Sequence, residues 1–237
     1  MPGLLIVNAD DFGYNERSTD AAAECFARGR ITSVSAMVYM HDSERAAAIA
    51  RAAGVPVGLH LNLSEPYSGS DVPEAARRRQ VRLAERFCGG WVRVRRWLYD
   101  PTIRRDVDGC IGEQLEHFQA LYGASPSHVD GHKHVQVSPN VLLSRALLPG
   151  TRMRTALHLD ATLLRPGRAA RRRLMERRFT STDYCFDFAE RERALQLARE
   201  ETVELVVHPA LRNYAALVSD DWARALERVR LGSFADL

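Results

Sequence analysis

Asn8-Ala9-Asp10-Asp11-Phe12-Gly13, read with the apolar run Leu4-Leu5-Ile6-Val7 in front of it, is the stretch on which the fold turns. A short apolar run that stops at two adjacent carboxylates reads as a buried strand delivering acid to a sheet edge. Three later runs end in the same way: Pro56-Val57-Gly58-Leu59 in His60, Ser127-His128-Val129 in Asp130-Gly131-His132, and Glu204-Leu205-Val206-Val207 in His208. Imidazoles and carboxylates at successive strand ends point to one shared metal site at the C-terminal mouth of a β/α fold.

Between these strand ends the pattern alternates. Asn15 or Ser18 can cap a helix running to about Arg28, with Gly29 as its stop, and Ile31 to Tyr39 reads as a second strand. An alanine-rich helix from Ser43 to Ala53 ends at Gly54, and Val57 to Leu63 is a third strand. Strand and helix in alternation imply parallel pairing. The stretch from Ser64 to about Arg105, with Pro66, Pro73, Gly89, Gly90 and Pro101, reads as loop plus helical pieces. Val107, Ile111, Leu115, Phe118 and Leu121 lie on one helical face that ends at Gly123. A strand at Ser127 to Asp130, a helix from Pro139 to Leu148, a strand near Met153 to Leu157 and a basic helix from Arg165 to Arg178 follow. Glu190 to Glu200 (helix), Val203 to Val207 (strand) and Asp220 to Arg230 (helix) complete the chain, with no internal repeat and no linker.

Side-chain direction follows from the period of two. In Gly58-Leu59-His60-Leu61-Asn62-Leu63 the leucines share one face and His60 with Asn62 the other, which in a barrel is the lumen. The same period aligns His128 with Asp130, and with His132 if the strand continues through Gly131, a residue at which alternation can break.

A chain of 237 residues, 46% hydrophobic, has the length of one β/α barrel, so a single catalytic domain over 1–237 is expected. With 27% charged residues and a net charge of +3, the balance does not by itself call for a nucleic-acid partner. Arg77-Arg78-Arg79 and Arg171-Arg172-Arg173 read as solvated helix faces, with acids nearby. Lys133, between His132 and His134, is the only lysine. Cys25, Cys88, Cys110 and Cys185 form no C-x-x-C pair, so they read as reduced structural thiols, and the first apolar run is too short for a signal or a membrane span. A cytoplasmic protein without a membrane span is expected; a homodimer stays open.

Four of these segments together, Asn8 to Gly13, Gly58 to Leu63, His128 to His134 and Glu204 to Pro209, resemble the YdjC-like carbohydrate deacetylase family, also called chitooligosaccharide deacetylases. The resemblance implies an α/β fold, a single distorted β/α (TIM-like) barrel of the polysaccharide deacetylase type. Carried over residue by residue, it implies Asp11, His60 and His132 as ligands of one divalent metal ion, magnesium or zinc. It further implies Asp10 as general base, His208 as general acid, and Asp130 and His134 as supporting residues. Asn62 and Arg154 join that supporting set from their own positions, Arg154 as a planar donor able to hold Asp10 or an anionic or hydroxyl group of the substrate. Gln136 stands where many relatives have histidine, and Ala210 where glycine is usual. The implied activity is metal-dependent removal of an N-acetyl group from an amino sugar or oligosaccharide.

Taken singly, the same residues have plainer readings. An Asp-Asp pair after a strand is ordinarily a cap or a solvated turn, and a lone His60 is ordinarily a satisfied core histidine. Three histidines within seven residues around Asp130 are harder to dismiss. A catalytically silent sugar-binding protein with the same pocket is the main alternative. Two histidines and a carboxylate also make the facial triad of iron oxygenases, whose all-β fold disagrees with the alternation here. Trp91 and Trp97 are candidates for stacking on a sugar, and His41, His117 and His158 carry no pattern.

Overall fold

In a computed structural model, residues 3–87, 98–155 and 168–237 are described. Six strands, β1 (Leu4–Phe12), β2 (Ser33–Ala36), β3 (Val57–Leu61), β4 (Val129–Gly131), β5 (Tyr184–Asp187) and β6 (Thr202–Val207), form one parallel sheet in the order β4-β3-β2-β1-β6-β5. The nine-residue β1 is central and pairs with β6 over six residues, Leu4 with Thr202 through Ala9 with Val207. The free edges are approached by single bridges: Met153 pairs with Val129 of β4, and Arg152 with Thr180, four residues before β5. The expected barrel is therefore present as an α/β sheet of six parallel strands. Its closing segment holds isolated bridges, not a full strand near Met153 to Leu157, and residues 156–157 fall outside the described part.

The helices follow local signals. In α1 (Glu16–Ala27) the Asn15 side chain accepts from Ser18 N, satisfying one of the orphan donors of the first turn. The second helix, α2 (Ser43–Ala53), stops at Gly54 with φ 66°, and α4 (Arg104–Tyr122) stops at Gly123 with φ 71°. Val107, Ile111 and Phe118 of α4 are buried and Leu115 and Leu121 pack on the same core, as their spacing requires. The stretch read as loop and helical pieces holds a 14-residue helix, α3 (Glu74–Phe87). The arginines of α3 are paired: Arg82 with Asp106 at 2.9 Å, Arg79 with Glu113, and Arg77 to the carbonyls of Tyr67 and Gly69.

Several elements are shorter than their patterns. The helix expected from Pro139 to Leu148 ends at Leu142 (α5), and the Arg178 guanidinium takes the carbonyls of Leu142, Ser144 and Leu147 in the irregular stretch that follows. Arg178 belongs to α6 (Arg168–Arg178). Strand β2 ends at Ala36, and Tyr39 takes φ 62°, outside strand geometry. Strand β5 has only four residues and no alternation, so its pattern carries no strand signal. The last helices are α7 (Arg191–Leu197), α8 (Tyr214–Leu217) and α9 (Asp220–Leu226).

The two faces of β1 divide the interior. Leu5, Val7 and Ala9 pack with the helices in the main core, while Leu4 and Ile6 form a separate cluster with Phe234 of the C-terminal turn. That tail is tied on by Leu5 N to Arg230 O and Gly232 N to Leu5 O. Further along the Leu4 and Ile6 face come Asn8 and Asp10, so apolar contacts seal one end of the interior and polar groups fill the other. Phe234 also stacks on His128, ring centroids 3.8 Å apart. His128 is wholly interior, its Nε2 3.0 Å from Ser35 Oγ and its Nδ1 3.0 Å from Ser127 Oγ, and burial pushes its pKa down to about 4. Gly58 makes room for it: a Cβ there would lie 2.2 Å from the imidazole. Gly58→Ala is expected to cost about 1–3 kcal/mol in urea unfolding, and a change below about 0.5 kcal/mol would show that the ring can move aside.

Candidate active site

All four sequence segments end at one edge of the sheet. His60 and Asp130 are direct register partners on β3 and β4, and β1 pairs with β6 up to Ala9 and Val207, so Asp10 and His208 emerge side by side. Consecutive strand residues point to opposite faces, yet Asp10 and Asp11 both line the same cavity of about 320 Å³. Two features allow this: an extra residue in β1 between Ala9 and Phe12, and a φ of 64° at Asp11. Lys133 and His134 also take positive φ, 54° and 59°, just after β4 breaks. Such backbone costs about 1–3 kcal/mol per residue and persists where surrounding contacts over-determine it. His132 thus reaches the cavity from a tight turn and not from a continued strand; a Cβ on Gly131 would meet Val135 and Gln136 at 2.7 and 2.9 Å.

Asp11, His60 and His132 offer one donor atom each within 4.8 Å of one another. Asp11 Oδ1 is 3.1 Å from His132 Nδ1 and 3.5 Å from His60 Nε2. Burial alone would raise the Asp11 pKa, but the contacts with His132 and His60 prevail and hold it far below the carboxylate range. The far nitrogen of His60, Nδ1, lies 2.8 Å from Asp130 Oδ1, which turns Nε2 toward Asp11. An ionised carboxylate and two imidazoles, one of them backed by a second carboxylate, are the donor chemistry of a divalent metal centre, so the residues fit such an ion.

Asp10 sits beside this group on a different support. Arg154, wholly buried, grips it with two bonds, Nη1 to Oδ2 at 2.8 Å and Nη2 to Oδ1 at 2.6 Å. The same guanidinium meets Asp130 Oδ2 at 2.6 Å and Glu204 Oε1 at 2.7 Å. Burial opposes ionisation of Asp10, but the charges of Arg154 and His60 together with the Arg154 hydrogen bonds outweigh it, and its pKa is lowered. Glu204 differs: burial raises its pKa to about 7, and its Oε2 is buried without a hydrogen-bond partner. Arg154 therefore serves Asp10 and is out of reach of a substrate.

The remaining expected residues divide. His208 lines the cavity with Nε2 3.9 Å from Asp10 Oδ2, and its carbonyl accepts from Leu211 N and Arg212 N in the following turn. His134 also lines the cavity, and burial lowers its pKa to about 4. Asn62 does not line it; its side chain organises the turn after β3, accepting from Ser64 N and Glu65 N. Gln136 is buried behind Gly131, and Ala210 borders a smaller recess beside His208. Trp91, Trp97, Cys88 and His158 lie outside the described residues. Cys25, Cys110 and Cys185 are free and buried.

Sequence reasoning missed three groups that the fold brings in. Glu65 has Oε1 3.3 Å from His132 Nε2 and 2.6 Å from Lys133 Nζ. The close approach of His132, with that of Lys133, lowers the Glu65 pKa to about 2. Ser35 donates to Asp130 at 2.7 Å, and Asn8 to Ser35 at 2.8 Å. The available signal for Glu65 was its place three residues after Asn62, in a turn that an Asn side chain commonly closes.

A buried acid with a raised pKa binds its proton more tightly in the folded chain than in the unfolded one. The Glu204 contribution to stability is therefore full below its unfolded value near 4.5 and is lost as pH rises toward 7. Urea midpoints at pH 5 and pH 7.5 are expected to differ less in Glu204→Gln than in the parent chain. An equal difference in both would mean that Glu204 does not titrate in that window.

Comparison with known proteins places the chain among named relatives. It is 41% identical over 146 residues to a carbohydrate deacetylase of Mus musculus, and 39% identical over 143 residues to that of Homo sapiens. Each match takes in 58% of this chain, which spans only 44% and 42% of those proteins. A chitooligosaccharide deacetylase of Enterobacter sp. (strain 638) is 30% identical over 268 residues, covering the whole of both chains. A crystal structure from Enterococcus faecalis V583, named for a proposed role in cellobiose-phosphate cleavage, superposes with a TM-score of 0.71. That likeness covers 100% of this chain and 99% of the other at 21% identity, and speaks for the fold alone. The YdjC-like protein family profile matches residues 4–231, and the chain belongs to that family.

Proposed function

We propose that this protein is a metal-dependent hydrolase that removes an N-acetyl group from an amino sugar or oligosaccharide. The observation that carries the reading is the Asp11, His60 and His132 group, open to a cavity that Asp10 and His208 also line side by side. The deacetylase names of the relatives favour the same chemistry. One catalytic domain over 1–237 is proposed, folded as a distorted barrel whose closure runs through the bridges at Met153 and Thr180. No helix among the described residues is long and apolar enough to cross a membrane. Free buried thiols fit a reducing compartment such as the cytoplasm. The arginines of α3 are engaged by acids and carbonyls, which argues against a nucleic-acid partner.

A divalent ion bound by Asp11, His60 and His132 supplies Lewis acidity, polarising the acetyl oxygen and lowering the pKa of a water. Two nitrogen donors and one oxygen suit zinc better than magnesium, which favours oxygen shells. Asp10 takes the proton of the attacking water. Its charge is held in place by Arg154, so it is an acceptor across the neutral range in one fixed orientation. His208, beside Asp10 at the cavity wall, donates a proton to the departing sugar amine. His134 stays neutral because burial lowers its pKa, which suits it to hydrogen-bond a substrate and not to act as the acid. Asp130 orients His60, and Arg154 acts only through the carboxylates it binds.

Acetate release from a panel of N-acetylated mono- and oligosaccharides, with chelator-stripped protein and single metals added back, is expected only when a divalent ion is present. Binding of sugar with no release under any metal would favour a silent binding protein instead. Asp10→Asn is expected to lower kcat by about 10²- to 10⁴-fold while the protein still takes up one metal ion. Full activity in that variant would remove Asp10 from the base role.

A further inference from the structure

His60 and His132 present a symmetry that the ligand set alone does not explain. Each imidazole has one nitrogen toward Asp11 and the other toward a second carboxylate. For His60 these are Nε2, 3.5 Å from Asp11, and Nδ1, 2.8 Å from Asp130. For His132 they are Nδ1, 3.1 Å from Asp11, and Nε2, 3.3 Å from Glu65 Oε1. Glu65 is not among the residues whose donor atoms converge with Asp11 and His60, so it backs the ring without joining the group.

The structure invests heavily in placing Glu65. Asn62 Oδ1 accepts from Glu65 N at 2.9 Å and Asn62 Nδ2 donates to Glu65 O at 2.9 Å, while Gln80 Nε2 donates to the same carbonyl. Asn62 is itself fixed by Gln114, which accepts from its backbone N at 2.8 Å and donates to its carbonyl at 3.2 Å. From that clamped backbone one carboxylate reaches three segments: Tyr14 OH donates to Oε2 at 3.2 Å, Lys133 Nζ to Oε1 at 2.6 Å, and His132 faces Oε1. The turn after β1, the turn after β3 and the strained turn after β4 are joined at this point. His132 and Lys133 are consecutive, and Lys133 has φ 54°, so the Glu65 contacts bear directly on the turn that aims His132.

We propose that Glu65 is the positioning residue of His132. It holds the ring from the Nε2 side, keeps Nδ1 aimed at Asp11 and His60, and so sets the affinity of the site for a divalent metal. This rests on the reading of Asp11, His60 and His132 as a metal centre. Carboxylates behind metal-bound imidazoles fix the tautomer and raise the donor strength of the ring, and their loss costs about 10- to 100-fold in metal affinity. With Asp130 behind His60 and Glu65 behind His132, both rings are supported in the same way.

Zn²⁺ affinity of the full chain, stripped of metal and titrated against a competing chelator, tests this directly. Glu65→Gln is expected to weaken binding by about 10- to 100-fold and to shift the visible absorption of the Co²⁺-loaded protein. In a His132→Ala background the same change is expected to have no further effect, because the ring it acts through is gone. Affinity within about twofold of the parent, or an undiminished effect without His132, would overturn the proposal. If Glu65→Gln does not fold, Tyr14→Phe removes only the bond to Oε2 and is expected to weaken Zn²⁺ by about two- to fivefold; no change would overturn the proposal. A parent chain that binds no divalent ion would sink the metal-centre reading and this proposal together. A parent that binds tightly while Glu65→Gln matches it would sink only the latter.

Discussion

One buried guanidinium organises the top of the sheet. Arg154 meets Asp10 from β1, Asp130 from β4 and Glu204 from β6, and Asp130 in turn holds His60 on β3. Four strands are thus tied through charge-assisted bonds at the level where the cavity begins. Burying an arginine and three acids is costly unless the pairing is nearly complete, and removing one partner of such a group typically costs about 3–5 kcal/mol because the others are left uncompensated. The imbalance of three acids to one guanidinium is relieved at Glu204, whose pKa rises to about 7 so that it carries a proton below that pH. Asp10 and Asp130 keep their charge, and of these three acids they are the two that approach the His60 imidazole.

The interior of the sheet is graded along its strands. At one end Leu4 and Ile6 close against Phe234, and at the other Asn8, Ser35, Asp10 and Asp130 form a hydrogen-bonded network. Phe234 stacked on His128 marks the boundary between the two. A polar interior of this kind is stable only when its members find partners, and the chain of bonds from Asn8 through Ser35 to Asp130 supplies them. The apolar cluster closes the lower end, and the cavity opens at the other.

Of the four non-glycine residues with positive φ among the described residues, all but Tyr39 line the cavity. Asp11, Lys133 and His134 all take the left-handed conformation beside the cavity, and Asp11 could not face it from an unbroken strand. The contacts around them, Asp11 to His132 and Lys133 to Glu65, are also the contacts that span different segments of the chain. Strain and cross-linking thus coincide, as expected where tertiary packing over-determines the local geometry.

The chain's alternation of apolar runs, capped helices and glycine stops was enough to determine parallel β/α order, because period and caps are local properties. It also determined which residues sit near strand ends, since His60, Asp130 and His208 follow apolar runs and Asp10 comes two residues after one. Family likeness added roles for them, and the profile match upholds that likeness. Only the tertiary structure decided what these side chains touch. Arg154 reaches Asp10 across 144 residues of sequence, and Glu65 reaches Lys133 across 68, distances at which no periodicity carries information. It also decided where elements stop: α5 ends at Leu142, and Arg178 binds carbonyls of the irregular stretch from Leu142 to Leu147. Local sequence sets the conformations that are cheap; long-range hydrogen bonds and burial choose among them, and the site is built from those choices.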